Sequence, residues 1–171
     1  DDSKNGGFSS ADLPWLPIGD KYRQVNVAAQ QDKAGSHLEI YKALQNFRHT
    51  HAAMKSSLDG FKMVELSQNS FAFKRELTSK EEESVLVLIN YGGSAENVNV
   101  QEKLIGLPDN VRVKIVGEVS SFKINQELNL AENFTLPAYE SIVAVYNEGI
   151  SIIFSRILVA GIVAFWVIKF V

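Results

Sequence analysis

The chain has 171 residues, 46% of them hydrophobic, and a formal net charge of −3, with a pI near 5.6. That length suits one domain with additions, and the mild acidity provides no basic stripe for a phosphate backbone, which sets nucleic acid aside as a partner. With no cysteine there is no disulfide frame, thiolate metal site or thiol nucleophile, and the redox compartment is left open.

From Asp1 the chain is polar and glycine-bearing, with no initiator methionine; it reads as a fragment of a longer protein whose secretion signal lies upstream. Residues 1–35 contain Gly6, Gly7, Pro14, Pro17, Gly19 and Gly35 without a sustained period, the pattern of a long ordered loop, and loops of that length usually serve a function. Ser36-His37-Leu38-Glu39 is a capping box, in which the serine hydroxyl accepts from the Glu39 N–H and the glutamate reaches back to the serine N–H. A helix is therefore predicted from Ser36 to about Ser56, with Leu38, Tyr41, Leu44, Phe47 and Met54 as its apolar stripe and Asp59-Gly60 as its close.

Beyond Gly60 the period changes. Strands are predicted at residues 61–66, 70–76, 84–90, 97–101, 111–117 and 141–146, with polar or glycine-bearing turns between them. The unbroken run Val85-Leu86-Val87-Leu88-Ile89 belongs in the centre of a sheet covered on both faces, whereas Val98 and Val100 alternate with asparagines as on a strand with one wet face. Residues 80–83 read as a solvated hairpin tip, and residues 122–137 as two short strands. The fold class is α+β, with an antiparallel, sandwich-like sheet domain over residues 60–147.

Residues 148–171 form an apolar tail. Twelve uncharged residues separate Arg156 from Lys169, short of the roughly 20 that a spanning helix needs and within the about 10–20 of a cleaved lipid-anchor signal. Asn147, Gly149 and Ser151 are the small residues at which such a tail could be cut. A tail-anchoring helix and a core helix are the alternatives, since Ile150, Ile152, Ile153 and Phe154 stand where the anchor signal has a polar spacer.

No catalytic constellation emerges. Asp1 and Asp2 are adjacent, whereas glycosidase carboxyls face each other across a substrate at about 5–5.5 Å or about 6.5–9.5 Å. His49 and His51 stand two apart, so on a helix they point to different faces, where paired metal ligands need a spacing of four; His37 sits at an exposed helix start. Tyr91-Gly92-Gly93-Ser94 reads as a turn, and no nucleophile elbow or phosphate loop occurs. Phe8, Trp15 and Tyr22 either stack on sugar rings or, the favoured reading, anchor the long loop to a neighbouring domain. Asn133-Phe134-Thr135 is the sole Asn-x-Ser/Thr acceptor and matters if the chain is secreted.

The order of several pieces carries a resemblance: Asp1-Asp2-Ser3-Lys4-Asn5-Gly6-Gly7-Phe8-Ser9, Pro14-Trp15-Leu16-Pro17, Tyr22, Val25-Asn26-Val27-Ala28-Ala29-Gln30, and Ser36-His37-Leu38 with Tyr41 and Leu44. Together they resemble the last barrel segment of maltase-like α-glucosidases of the α-amylase superfamily (glycoside hydrolase family 13). Leu128-Asn129-Leu130 and Phe134-Thr135-Leu136-Pro137-Ala138-Tyr139-Glu140-Ser141-Ile142-Val143 resemble the sheet domain that follows the barrel, and the tail is similar to that of membrane-anchored insect midgut maltases.

The resemblance implies that residues 1–59 end a (β/α)8 barrel, with a rim loop at residues 1–35 and the last barrel helix at about 36–56. It implies a retaining hydrolase releasing glucose from maltose-like oligosaccharides, held at the extracellular face of the plasma membrane. The nucleophile, acid/base and third carboxylate would all precede Asp1, so none is carried over here and the chain alone is expected to be inactive. The rim of such a barrel holds the active site, which connects only Asp1, Asp2, Asn5 and Phe8 with substrate. No cofactor is implied, and calcium in the barrel and a homodimer are left open. The rival readings are a non-catalytic relative serving as a membrane-tethered binding or receptor protein, and a free-standing tail-anchored β module.

Overall fold

The computed structural model describes residues 1–79, 81–118 and 120–147. Its frame is a six-stranded antiparallel sheet built from β1 (Phe61–Ser67), β2 (Ser70–Arg75), β3 (Ser84–Asn90), β5 (Asn110–Val116), β6 (Glu127–Asn129) and β8 (Ser141–Tyr146), in the order β1-β2-β3-β8-β5-β6. A second, two-stranded sheet pairs β4 (Glu96–Val98) with β7 (Phe134–Leu136). The run expected at the centre is there: Val85, Leu86 and Leu88 on β3 are fully buried, and β3 is paired with β2 on one side and β8 on the other.

Alternation along β3 and β8 sends side chains into two cores, because successive residues face opposite sides of a sheet. Leu86, Leu88, Ile142 and Ala144 pack with Val98, Leu130 and Leu136 from the layer that includes the small sheet. Val85, Val87, Val143 and Val145 pack with Ala53, Phe47 and Met54 from the helices. The main sheet is thus covered on both faces, by strands and loops on one and by helices on the other.

Helix α2 (His37–Thr50) starts where predicted. The Ser36 hydroxyl accepts from Glu39 N–H at 3.4 Å and donates to the Gln30 carbonyl at 2.7 Å. The second half of the expected capping box is replaced: Ser36 N–H donates to the Lys33 carbonyl, and the Glu39 carboxylate accepts from Asp32 N–H at 3.3 Å. The reason is the short helix α1 (Val27–Gln30) inside the expected loop, capped by Asn26, whose side chain accepts from Ala29 N–H. Its return through a positive φ at Asp32 and Gly35 brings the Asp32 amide to the glutamate first.

The predicted helix also breaks once. At His51 ψ turns to 129°, and the chain resumes as α3 (Ala52–Lys55). The break drops Ala53, fully buried, onto the sheet, while the His51 ring stacks on Phe47 with centroids 4.5 Å apart. A 14-residue helix is about 21 Å long, and the sheet receives only its end, so Tyr41 and Leu44 remain exposed.

The strand expected at residues 97–101 ends at Val98, because Asn99 caps α4 (Val100–Lys103) by accepting from Glu102 N–H. Val100 is then fully buried as a helix residue. Glu83, expected at a solvated tip, is half-buried and pairs with Arg112 of β5, while Glu81 and Glu82 are exposed. Gly60 is required where it stands, since a Cβ there would lie 2.3 Å from the Glu76 carbonyl oxygen.

Candidate functional site

The residues connected with substrate in sequence lie in a small self-contained turn. Asn5 and Gly6 both have positive φ, at 55° and 64°, which folds residues 4–7 into a kinked 3-10 turn. Asn5 is consumed in holding it: its side-chain amide donates to the Ser9 carbonyl at 3.0 Å and the Ala11 carbonyl at 2.7 Å. Asp1 is consumed as well, its carboxylate accepting from Ser3 N–H at 2.9 Å and from the Ser3 hydroxyl. Lys4 closes the outer side of the turn on Asp12 at 2.6 Å and on the Ser10 carbonyl.

Asp2 and Phe8 are left facing solvent, Phe8 at 91% exposure. Trp15, set between Pro14 and Leu16-Pro17, is 92% exposed, and Leu13 is 88% exposed. The neighbouring domain to which the loop's aromatics were expected to anchor is therefore not the sheet. Phe8, Leu13 and Trp15 are thus large apolar side chains held in ordered backbone that no other described residue covers, the kind of surface that serves in interactions.

The histidines do not converge. His37 is exposed, with Nε2 3.9 Å from a Glu118 carboxylate oxygen; His49 is exposed; and His51 is half-buried. Burial pushes the His51 imidazole below its ordinary value of 6.5, with Lys114 acting in the same direction and Glu83 and Glu82 against it. Its Nδ1 is buried without a hydrogen-bond partner. Among the described residues no three histidine, aspartate or glutamate side chains gather as a metal site.

Hydrogen bonds from Ser67, Ser70 and Asn69 hold the Glu96 carboxyl below its ordinary range, joining the β1–β2 turn to β4. Lys74 is inside the β domain, 1% exposed, paired with Glu76 and donating to the Ile105 carbonyl at 2.8 Å. These charged groups have structural partners. Sequence reading missed all of them, and a lone lysine in an alternating strand gives no signal of its depth.

Asn133 is exposed ahead of β7, and Asn147 is exposed directly after β8; Gly149 and Ser151, with the apolar tail, lie outside the described residues.

Known proteins complete the description. Residues 1–57 match the family described as Alpha amylase, catalytic domain. Maltase 1 of Drosophila virilis is 33% identical over 131 residues, covering 77% of this chain and 20% of that protein. The salivary alpha-glucosidase of Aedes aegypti is 30% identical over 153 residues, covering 87% of this chain and 25% of that protein. The amino acid transporter heavy chain SLC3A1 of Rattus norvegicus is 30% identical over 115 residues, covering 67% of this chain and 16% of that protein.

Among solved structures, a MUTB mutant soaked with trehalulose superposes with a TM-score of 0.64 at 22% identity, over 85% of this chain and 24% of the other. The trehalose-6-phosphate hydrolase of Bacillus licheniformis gives 0.61 at 20% identity, over 78% of this chain and 22% of the other. The antiparallel sheet with its few helices is the fold these structures share. The chain belongs to the α-amylase family, among its maltase-like members, and spans a quarter or less of the length of each of these relatives.

Proposed function

We propose that this chain is the C-terminal part of a retaining α-glucosidase that releases terminal glucose from maltose-like oligosaccharides, residues 1–59 completing a (β/α)8 barrel and residues 60–147 forming the sheet domain behind it. One observation carries the reading. The 131 residues aligned with Maltase 1 exceed the 114 that follow residue 57 (171 − 57), so the similarity runs through both the catalytic-domain segment and the sheet. The outward-facing Phe8, Leu13 and Trp15 support it, because a barrel supplies the body that would cover them.

On this reading the chemistry belongs to carboxylates in the rest of the barrel, and this chain's part is mechanical. The sheet clamps the end of α2 and α3 through Phe47, Ala53 and Met54, so the last barrel helix is fixed to a rigid support. The Asn5 hydrogen bonds hold the opening loop in one shape at the rim, where active sites of this fold lie. The apolar tail supports tethering outside the cell, with Asn147, Gly149 or Ser151 as the attachment residue if the anchor is a lipid.

A second reading has its own support. The similarity to an amino acid transporter heavy chain fits a membrane-tethered binding protein built on the same frame, since a fold does not dictate a function.

The deciding experiment is to read the encoding transcript upstream of Asp1 and assay the full-length product on a chromogenic α-glucoside. A barrel with its nucleophile, acid/base and third carboxylate, together with turnover, is the expected result. A barrel in which those carboxylates are replaced, without turnover, establishes the binding protein instead. Turnover by the 171-residue chain alone would overturn both.

A further inference from the structure

We propose that Asn133 is an N-glycan attachment site, placed on the outer layer of the sheet domain. The Asn-x-Thr triplet is a sequence condition; the structure adds the three-dimensional ones. The turn from β6 to β7 is held from within, Leu130 being fully buried with its N–H donating to the Asp109 carbonyl at 2.6 Å. Asn129 tightens the turn by accepting from Ala131 N–H at 2.9 Å. This anchoring turns the other side of the loop to solvent, where Asn133 is exposed.

Phe134, the middle residue of the triplet, packs against the core. Alternation along β7 turns Thr135 to the side opposite Phe134, and both Thr135 and Asn133, which directly precedes the strand, are exposed. The transferase must reach both the asparagine amide and the threonine hydroxyl, and neither residue is buried.

The position is also compatible with the whole protein. β7 belongs to the layer on the first core, whereas the helices of the catalytic-domain segment pack on the opposite face of the main sheet through the second core. A bulky saccharide on Asn133 therefore points away from the face to which α2 and α3 are attached.

In the transfer, the Asn133 amide nitrogen displaces the diphosphate from the anomeric carbon of a lipid-linked oligosaccharide. The carbon–nitrogen bond forms, the carbon–oxygen bond to the diphosphate breaks, the amide proton passes to a base, and the lipid diphosphate leaves. The inference rests on the extracellular location proposed above, and its test separates the two.

The full 171-residue chain, placed behind a cleavable secretion signal, is translated with endoplasmic-reticulum microsomes, and only chains whose signal has been removed are scored. The expected result is a shift in mobility that peptide N-glycosidase abolishes, with aspartate found at position 133 by mass spectrometry after the enzyme. Thr135→Ser keeps the shift, and Asn133→Gln and Thr135→Ala lose it. Signal-cleaved wild-type chain without the shift overturns the site. If the microsomal chain is shifted but the protein from its natural source is not, Asn133 is a competent acceptor and the extracellular location is what fails.

Discussion

The side-chain amide of Asn90 donates to the Pro137 carbonyl at 2.8 Å, tying the end of the central strand β3 to the end of β7 in the other sheet. The same amide donates to the Ser94 and Leu136 carbonyls, and its oxygen accepts from Gly92 N–H at 2.9 Å. Asn90 is 1% exposed, so water cannot replace these bonds. Asn90→Ala is expected to cost about 3 kcal/mol, from lost bonds of about 1 kcal/mol each and carbonyls left unsatisfied. Asn90→Asp should be comparably damaging, because a carboxylate cannot donate to carbonyls. Urea unfolding checks both, and a loss below about 1 kcal/mol would contradict the role.

Lys74 makes a different kind of link, from β2 to the loop after α4 through Ile105. Lys74→Met leaves Glu76 without its cation and the Ile105 carbonyl without a donor. The expected loss is about 3 kcal/mol, the scale for breaking one side of a buried pair. Adding Glu76→Leu should return part of that loss, because the stranded charge is then gone as well. A double variant less stable than the single would argue against an ion pair as the main interaction.

The stacking of His51 on Phe47 at the junction of α2 and α3 gives the helix–sheet contact a pH dependence. Burial depresses the folded-state pKa below 6.5, so between the two values the unfolded chain binds more protons and stability rises with pH. Acidification from pH 7 to pH 5 should therefore weaken the fold as the window below about 6.5 is crossed. His51→Leu should remove this contribution and flatten the thermal stability profile over that range. An unchanged profile in the variant would assign the pH dependence elsewhere.

Trp15 separates this chain from the longer protein proposed above. At 92% exposure its replacement by alanine should change the stability of this chain by less than about 0.5 kcal/mol, the range for exposed positions. In the full-length protein the same substitution should cost about 3 kcal/mol or more, as truncating a buried aromatic does. Paired melting experiments on the two forms make the comparison. Equal effects would mean that no body covers the loop.

Periodicity made the strands, the helix start at Ser36 and the central place of Val85–Ile89 legible, because each depends on local spacing. Asn99 shows where such reading stops: its side chain can continue a strand or cap a helix, and the burial of Val100 in the core goes with the cap. His51 shows the same, since an apolar stripe continued past it while the sheet receives the chain only after a break. For the candidate site, residue order carried the family and the residue types carried the triplet at Asn133. What Asn5 and Asp1 do with their polar atoms depended on backbone turns that their identities alone do not specify.

Composition, spacing and residue order by themselves determined an antiparallel sheet behind a helix, a family, and an acceptor triplet, because burial and capping preferences act over a few neighbouring residues. Tertiary structure alone decided which side chains were spent on internal bonds, as with Asn5, Asn90 and Lys74, and which were left facing outward, as with Phe8, Trp15 and Asn133. Those outcomes depend on contacts between residues far apart in the chain, Asn90 with Pro137 and Lys74 with Ile105, which exist only once the sheets have paired.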